Sequence, residues 1–337
     1  MDFFDRIADF ENLHAAYLGA RKCRRYRDAV LKFGFDLEGQ LSRLRAELTQ
    51  GRYRHGGYRE FIVTDSKRRV IKAAPFRDRV VHHAVVNIIE PVLDRAFIHD
   101  SYACRKGKGT HAAVYRLEHF VRSLADRERE RESKVPPRLY YLKCDISKFF
   151  DNIDHGILLG ILEKRIPDKR ARQLLSEIVE SNPQGIPIGN LTSQLLANAY
   201  LNELDQFVKR ELKERYYLRY MDDFLILGSG KKHLRETQER IRAFLTDQLK
   251  LSFHPKKAEV APIDKGIDFL GYVLRNGSRR LRKSTVKRFL KRKRRYKTMV
   301  DSGEMTEATY ARLLMAWRGY ARFADSYGLL RKAGLTE

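Results

Sequence analysis

Two adjacent acids, Asp222 and Asp223, interrupt a run that is otherwise mostly apolar and aromatic, with Leu218-Arg219-Tyr220-Met221 before them and Phe224-Leu225-Ile226-Leu227 after. A stretch rich in Tyr, Leu, Ile and Phe does not accommodate two carboxylates without a use for them, so the pattern predicts a strand, a carboxylate turn and a return strand. Taken alone, the pair also fits a solvated hairpin tip. A second run, Leu139-Tyr140-Tyr141-Leu142-Lys143-Cys144-Asp145-Ile146, reaches an acid of its own. Antiparallel pairing of the two runs would bring Asp145 close to Asp222 and Asp223. Hard oxygen ligands gathered in this way, with Ile146 beside them, suit Mg²⁺, or Mn²⁺ in its place. Two such ions, about 3.5–4 Å apart, activate an attacking hydroxyl and stabilise a leaving pyrophosphate, which makes nucleotidyl transfer the expected chemistry. The bland role for Asp145 is a strand-end acid that caps the next turn.

The elements that must carry these acids are legible around them. Leu37, Leu41, Leu44 and Leu48 recur at helical spacing before Gly51, so residues 1 to about 50 are predicted helical. Residues 58–63 and 69–73 alternate like a hairpin turning at Asp65-Ser66-Lys67, and helices are predicted over 76–93 and 110–124. The alternating charges of Asp126 to Lys134 read as a solvated helix end, broken at Pro136-Pro137. Further helices are expected over 154–181 and after Gly189, and a strand at Phe269-Leu270-Gly271. From Arg275 to Lys297 there are thirteen Lys or Arg residues and no acid, with Val286, Phe289, Leu290 and Met299 as an apolar stripe. This predicts an amphipathic basic helix capped near Ser284, followed by a second helix carrying Tyr310, Leu313, Leu314, Trp317 and Tyr320.

Composition narrows the partners. With 337 residues and 43% hydrophobic content the chain can bury a sizeable core, and disorder is not expected. A net charge of +25 points to a polyanion. No apolar run approaches the length of a spanning helix and no leader pattern opens the chain, so a cytoplasmic location is expected. Three widely spaced cysteines, Cys23, Cys104 and Cys144, indicate neither a disulfide framework nor zinc. His82-His83 fall in an apolar helical run where packing is the expected use, and no phosphate-cradling Gly-rich loop ending in Lys is present.

Four motifs in order resemble the palm of reverse transcriptases: Asp145 with Phe149-Phe150, then Gly185 to Gln194, then Tyr220-Met221-Asp222-Asp223, then Phe269-Leu270-Gly271-Tyr272. Common members carry Gln-Gly three residues before Ser-Pro, whereas this chain has Ile188-Gly189-Asn190-Leu191-Thr192-Ser193-Gln194. That variant resembles the enzymes of diversity-generating retroelements. Asp78 to Ala84 and Ser101 to Arg105 are similar to the fingers of that group and of its group II intron relatives.

The resemblance implies an α+β right-hand polymerase. Its parts would be an N-terminal helical extension (1–50), fingers and the start of the palm (51–135), the palm strand with the first catalytic Asp (136–154), fingers helices (155–184), palm (185–273) and a basic helical thumb (274–337). It implies catalysis by Asp145, Asp222 and Asp223, with Arg69, assisted by Lys67, on the incoming triphosphate. Phe150 would gate against a ribose 2′-hydroxyl while Phe149 packs in the core. Ile188, Gly189 and Gln194 would lie beneath the nascent base pair, and Lys256 or Lys257 would protonate the leaving pyrophosphate. Solvated charge is the alternative for Lys67 and Arg69, turn punctuation for the glycines, and core packing for Ile188.

Lys287, Arg288, Lys291, Arg292, Arg294 and Arg295 would grip nucleic acid from the thumb. The implied partners are template RNA, cDNA primer and product, dNTPs and a small basic oligomeric accessory variability protein. The implied function is copying of a template-repeat RNA into cDNA with errors at template adenines. A group II intron-like or defence-associated reverse transcriptase is the alternative. Against an intron-encoded protein stand Ser193-Gln194 in place of Ser-Pro and a chain running to Glu337, soon after the expected thumb. An RNA-binding module with an inactive palm would need broken motifs, whereas all three acids and Arg69 are present.

Overall fold

The computed structural model describes residues 2–64, 68–131 and 138–335. Lys67, the turn expected around it and the helix break at Pro136-Pro137 lie outside the described residues. Four helices open the chain: α1 (Phe3–Ile7), α2 (Phe10–Ala20), α3 (Asp28–Phe35) and α4 (Leu37–Thr49). The leucine stripe of α4 buries Leu41, Leu44 and Leu48. α2 starts where it does because the Asp9 carboxylate accepts the N–H groups of Glu11 and Asn12. A hairpin of β1 (Arg59–Thr64) and β2 (Arg68–Ala73) follows, with β1 exposed along its length. Then come α5 (Phe76–Asp94), packed between α2 and α9 (defined below), and α6 (Thr110–Arg131).

β3 (Tyr140–Asp145) leads through a tight turn at Phe149–Asn152 to α7 (His155–Glu163), α8 (Lys169–Glu180) and α9 (Leu191–Gln206). After these come β4 (Tyr217–Tyr220), β5 (Asp223–Gly228), α10 (Lys231–Leu249) and β6 (Glu259–Pro262). The four strands form one antiparallel sheet in the order β4-β5-β3-β6. Both of its faces are covered, which is why the β5 sequence reads as a continuous apolar run instead of alternating with polar residues. Phe224 and Ile226 join the core shared with α9 and α10, while Leu225 and Leu227 face the opposite way into a core shared with α6. Burying each of these side chains contributes about 1.5–3 kcal/mol, so the strand that carries Asp223 is anchored on both faces. α10 is an element the sequence reading did not place. Its buried stripe of Leu234, Ile241, Leu245 and Leu249 is sparse within a strongly charged helix.

The final part is a three-stranded antiparallel sheet, β7 (Ile267–Phe269), β8 (Tyr272–Arg275) and β9 (Ser278–Leu281), followed by α11 (Lys283–Asp301), α12 (Glu307–Arg322) and α13 (Tyr327–Lys332). Leu270 and Gly271 form the β7–β8 turn, both at positive φ, so they do not continue the strand as expected. A side chain at Gly271 would also collide with the Tyr320 hydroxyl of α12. The basic run is likewise divided, its first residues entering β8 and β9 and the remainder α11. That helix begins after Arg282, with no side-chain cap, and not at Ser284. Phe289 and Trp317 stack at 3.6 Å between ring centroids and join α11 to α12. No described helix is long and apolar enough to cross a membrane.

Candidate active site

The register of the central sheet sets Asp145 directly across from Asp223 at the end where β3 leaves it and β5 enters. Residues paired across strands share a face, so both carboxylates lie on the face that also carries Lys143 and Leu225, two pairs further in. Asp222 occupies the two-residue β4–β5 turn behind Met221, whose φ is +56°.

Asp222 and Asp223 both feel the charge of Asp145. Burial raises the Asp223 carboxyl to about 6; Lys143 opposes the rise, and Asp222 and Asp145 add to it. Asp222 is also raised, chiefly by burial and then by Asp145, while Lys257 and Arg69 pull it down. Arg69, on exposed β2 and paired in register with Val63, is therefore near enough to act on the Asp222 carboxylate.

Lys257 meets Asp145 directly, its Nζ donating to Oδ2 at 2.5 Å. The approach is built by main chain. Beyond Asp145 the β3 chain continues against residues 252–254: the N–H of His254 donates to the Asp145 carbonyl at 2.8 Å, and Ile146 bridges Phe253. A tight turn then brings the N–H of Lys257 back onto the His254 carbonyl at 3.0 Å. Lys256 is exposed to solvent whereas Lys257 is half-buried on Asp145, so geometry separates two lysines that sequence could not. Among the described residues no three His, Cys, Asp or Glu side chains are gathered in a metal-holding arrangement. The donor set nevertheless fits a hard divalent cation: oxygen-only side chains, partly buried, whose mutual repulsion a positive charge would relieve.

Phe149 is buried against Tyr200, whereas Phe150 is only partly covered and meets Phe149 edge-on at 5.3 Å. The carbonyl of Phe150 accepts the Ile186 N–H at 2.9 Å. Gly185, at φ +62°, lies so close to residues 150 and 151 that a Cβ would overlap their main chain. Further along, the Ile188 carbonyl accepts the Lys72 N–H at 3.1 Å, and Gly189 lies against Ile71 and Lys72. The 185–189 segment is thus tied at one end to the turn after Asp145 and at the other to the exposed hairpin. Ile188 is half-buried and Gln194 is exposed on the first turn of α9. Gly189 and Gln194 border a small cavity of about 150 Å³ with Arg79, His82 and His83. His82 is buried there, held to His55 Nε2 at 3.2 Å and Thr192 Oγ1 at 3.4 Å. Burial, then the His55, His83 and Arg79 charges, push it down to about 3.

Two groups at the site were missed by sequence reasoning. Lys143 faces Asp223 and donates to the Asp268 carbonyl of β7 at 2.6 Å; its place two residues before Asp145, hence on the same strand face, was the available signal. Arg219 is buried beneath the carboxylate turn. Lys287, Lys291, Arg292, Arg294 and Arg295 are exposed on α11 and Arg288 is half-exposed.

The sequence signature of the family described as reverse transcriptase (RNA-dependent DNA polymerase) matches residues 63–274. Protein YkfC of Escherichia coli is 26% identical over 279 residues, covering 70% of this chain and 71% of that protein. The group II intron-encoded protein LtrA of Lactococcus lactis is 24% identical over 301 residues, covering 68% of this chain but 47% of the relative, so this chain corresponds to about half of it. Among solved structures, apo telomerase from Candida tropicalis, truncated from its C-terminal domain, superposes with a TM-score of 0.54 at 12% identity. The match covers 67% of this chain and 55% of that one. At that identity the likeness speaks for the fold alone, a right-hand polymerase of mixed helix and sheet.

Proposed function

The chain belongs to the reverse transcriptase family, and from that premise we propose that it is an RNA-directed DNA polymerase whose reaction centre is the Asp145, Asp222 and Asp223 cluster. The observation that carries this reading is the convergence on one sheet end of three carboxylates with two cations of different reach, Lys257 from the palm side and Arg69 from the hairpin. The cluster would hold Mg²⁺, or Mn²⁺, through the three carboxylates and the Ile146 carbonyl. When bound, the ions lower the pKa of the primer 3′-hydroxyl and neutralise charge on the triphosphate. Arg69 orients the triphosphate through its planar fork. Lys257 is the proton donor for the departing pyrophosphate, since its ammonium is the one held at Asp145. Phe150, less buried than Phe149, is the group that would exclude a 2′-hydroxyl.

Primer extension by the purified protein on an RNA template, with and without divalent cation, tests this directly. Cation-dependent incorporation of dNTPs is expected, and its absence would sink the reading.

The finer assignment is to the diversity-generating kind, with template-repeat RNA as template and an accessory variability protein as partner. It is supported by Ile188 and Gln194 in the segment tied to the Arg69 hairpin, where an aliphatic side chain packs but cannot hydrogen-bond to a nascent pair. Similarity to a group II intron-encoded protein favours the second reading, an intron-like enzyme. A template repeat and a matching variable repeat beside the gene would support the first; intron sequence flanking the gene would support the second.

A further inference from the structure

β4 carries an arginine whose hydrogen-bonding capacity is used up inside the protein. Arg219 is 0% exposed, which is costly unless the charge and every N–H find partners. They do. Nε and Nη2 donate to the two Asp205 oxygens, each at 2.7 Å. Nη1 donates to Asn198 Oδ1 and to the Met221 carbonyl, both at 3.1 Å, and Nη2 reaches Ser101 Oγ at 3.1 Å. A guanidinium has five N–H groups, so the fork is saturated. Tyr217 adds a hydroxyl donor to Asp205 at 2.6 Å. The main chain of Arg219 is held too, donating to the Asp100 carbonyl and accepting from the Tyr102 N–H, each at 2.9 Å.

One acceptor differs from the others. The Met221 carbonyl belongs to the turn that presents Asp222, and Met221 sits at φ +56°, a left-handed conformation that a residue with a Cβ adopts only when something holds it there. Apolar residues of equal volume commonly stabilise a fold as well as a buried ion pair does, so stability alone is a weak reason for this one. Its geometry offers something an apolar cluster cannot: a rigid fork joining α9, the Ser101 segment and one carbonyl of the turn. We infer that Arg219, locked by Asp205, is a positioning residue that fixes the Met221 carbonyl and thereby sets Asp222 beside Asp145. The inference rests on the reading of Asp222 as part of the polymerase centre.

Arg219→Lys keeps the charge but has no planar fork to serve Asp205 and Met221 together. On a primed RNA template its kcat is expected to fall at least about tenfold, because small misplacements of reacting groups are expensive. KM for dNTP and affinity for primed template, read by fluorescence anisotropy, should stay within about twofold. Adding Met221→Gly, which adopts the left-handed turn unaided, should then restore kcat at least about threefold over Arg219→Lys alone. Simple loss of packing predicts no recovery. If Arg219→Lys does not unfold cooperatively, Ser101→Ala replaces it, removing one neutral acceptor, with a smaller loss of kcat and the same recovery expected. A parent protein that does not extend primers overturns the polymerase reading itself. A parent that extends, beside variants that match it in kcat or gain nothing from Met221→Gly, overturns the positioning role.

Discussion

The carboxylate end of the central sheet and the basic helix α11 are both crowded with charge, yet they are built on opposite terms. At the sheet end each group has an assigned direction: Lys257 on Asp145, Lys143 on the Asp268 carbonyl, Arg219 across Asp205 and the Met221 carbonyl. Along α11, Lys287, Lys291, Arg294 and Arg295 stand in solvent, and Phe289 is the only fully buried side chain of the helix. Chemistry on one phosphorus atom requires atoms fixed to fractions of an ångström, so its groups are buried and mutually braced. A grip on a long polyanion is a sum of many contacts, none of which needs a single geometry.

The contrast makes graded predictions. Asp222→Ala should reduce primer extension by at least about a thousandfold while leaving RNA affinity within about twofold, since electrostatic stabilisation of the transition state is a dominant catalytic term. Extension at the parent rate would mean that the sheet end is not the reaction centre.

His82, beneath the 185–194 segment, tests whether that support is as fixed as the acids it serves. Its imidazole stays neutral in the fold down to about 3, whereas in the unfolded chain it titrates near 6.5. Above pH 6.5 neither state binds the proton and the His82 contribution is constant. Between there and about pH 3 only the unfolded state takes it up, so stability falls on acidification. Urea denaturation of the parent should therefore lose about 2 kcal/mol more than His82→Gln between pH 7.5 and pH 5. Equal losses would show that this histidine is readily protonated in the fold.

On the other side of the comparison, Lys291→Gln with Arg295→Gln should weaken RNA binding about tenfold at low salt, similarly for all sequences. The slope of log affinity against log salt should fall by about two. A change confined to one sequence would mean that α11 reads bases instead of charge. The smallest effect is expected at Ile188. Ile188→Gln should lower misincorporation opposite template adenine by about threefold to tenfold, with extension retained, and sequencing cDNA from one mixed template would decide it. Identical error profiles would remove Ile188 from fidelity.

The β1–β2 hairpin, the β3, β4 and β5 strands, the α4 and α9 helices and the acids at the strand ends were legible because sheet alternation and helical spacing act over a few residues, and an acid pair inside an apolar run is a strong local anomaly, whereas β6, β8 and β9 were not placed. What escaped was long-range. Nothing near Arg219 in sequence announces Asp205 or Ser101 as partners, since their meeting depends on α9 and the 100–102 segment closing on the edge of β4. Lys257 could not be told from Lys256 because the choice is made by a turn after Phe253. α10 was overlooked because one buried residue in every three or four barely shows in a charged helix. The basic run misled by its uniformity: charge does not record where β9 ends and α11 begins.

Cys144 lies in β3 between Lys143 and Asp145, buried, with its thiol pushed up mainly by that burial, whereas Cys23 and Cys104 are exposed. The protein therefore carries an internal clock for its own breathing. A maleimide will consume Cys23 first and Cys104 next, its thiol being raised by partial burial, and the third only when the central sheet parts, because it is the thiolate in contact with solvent that reacts. The slow phase of labelling measures how often the strand bearing Asp145 leaves its neighbours, without any engineered probe.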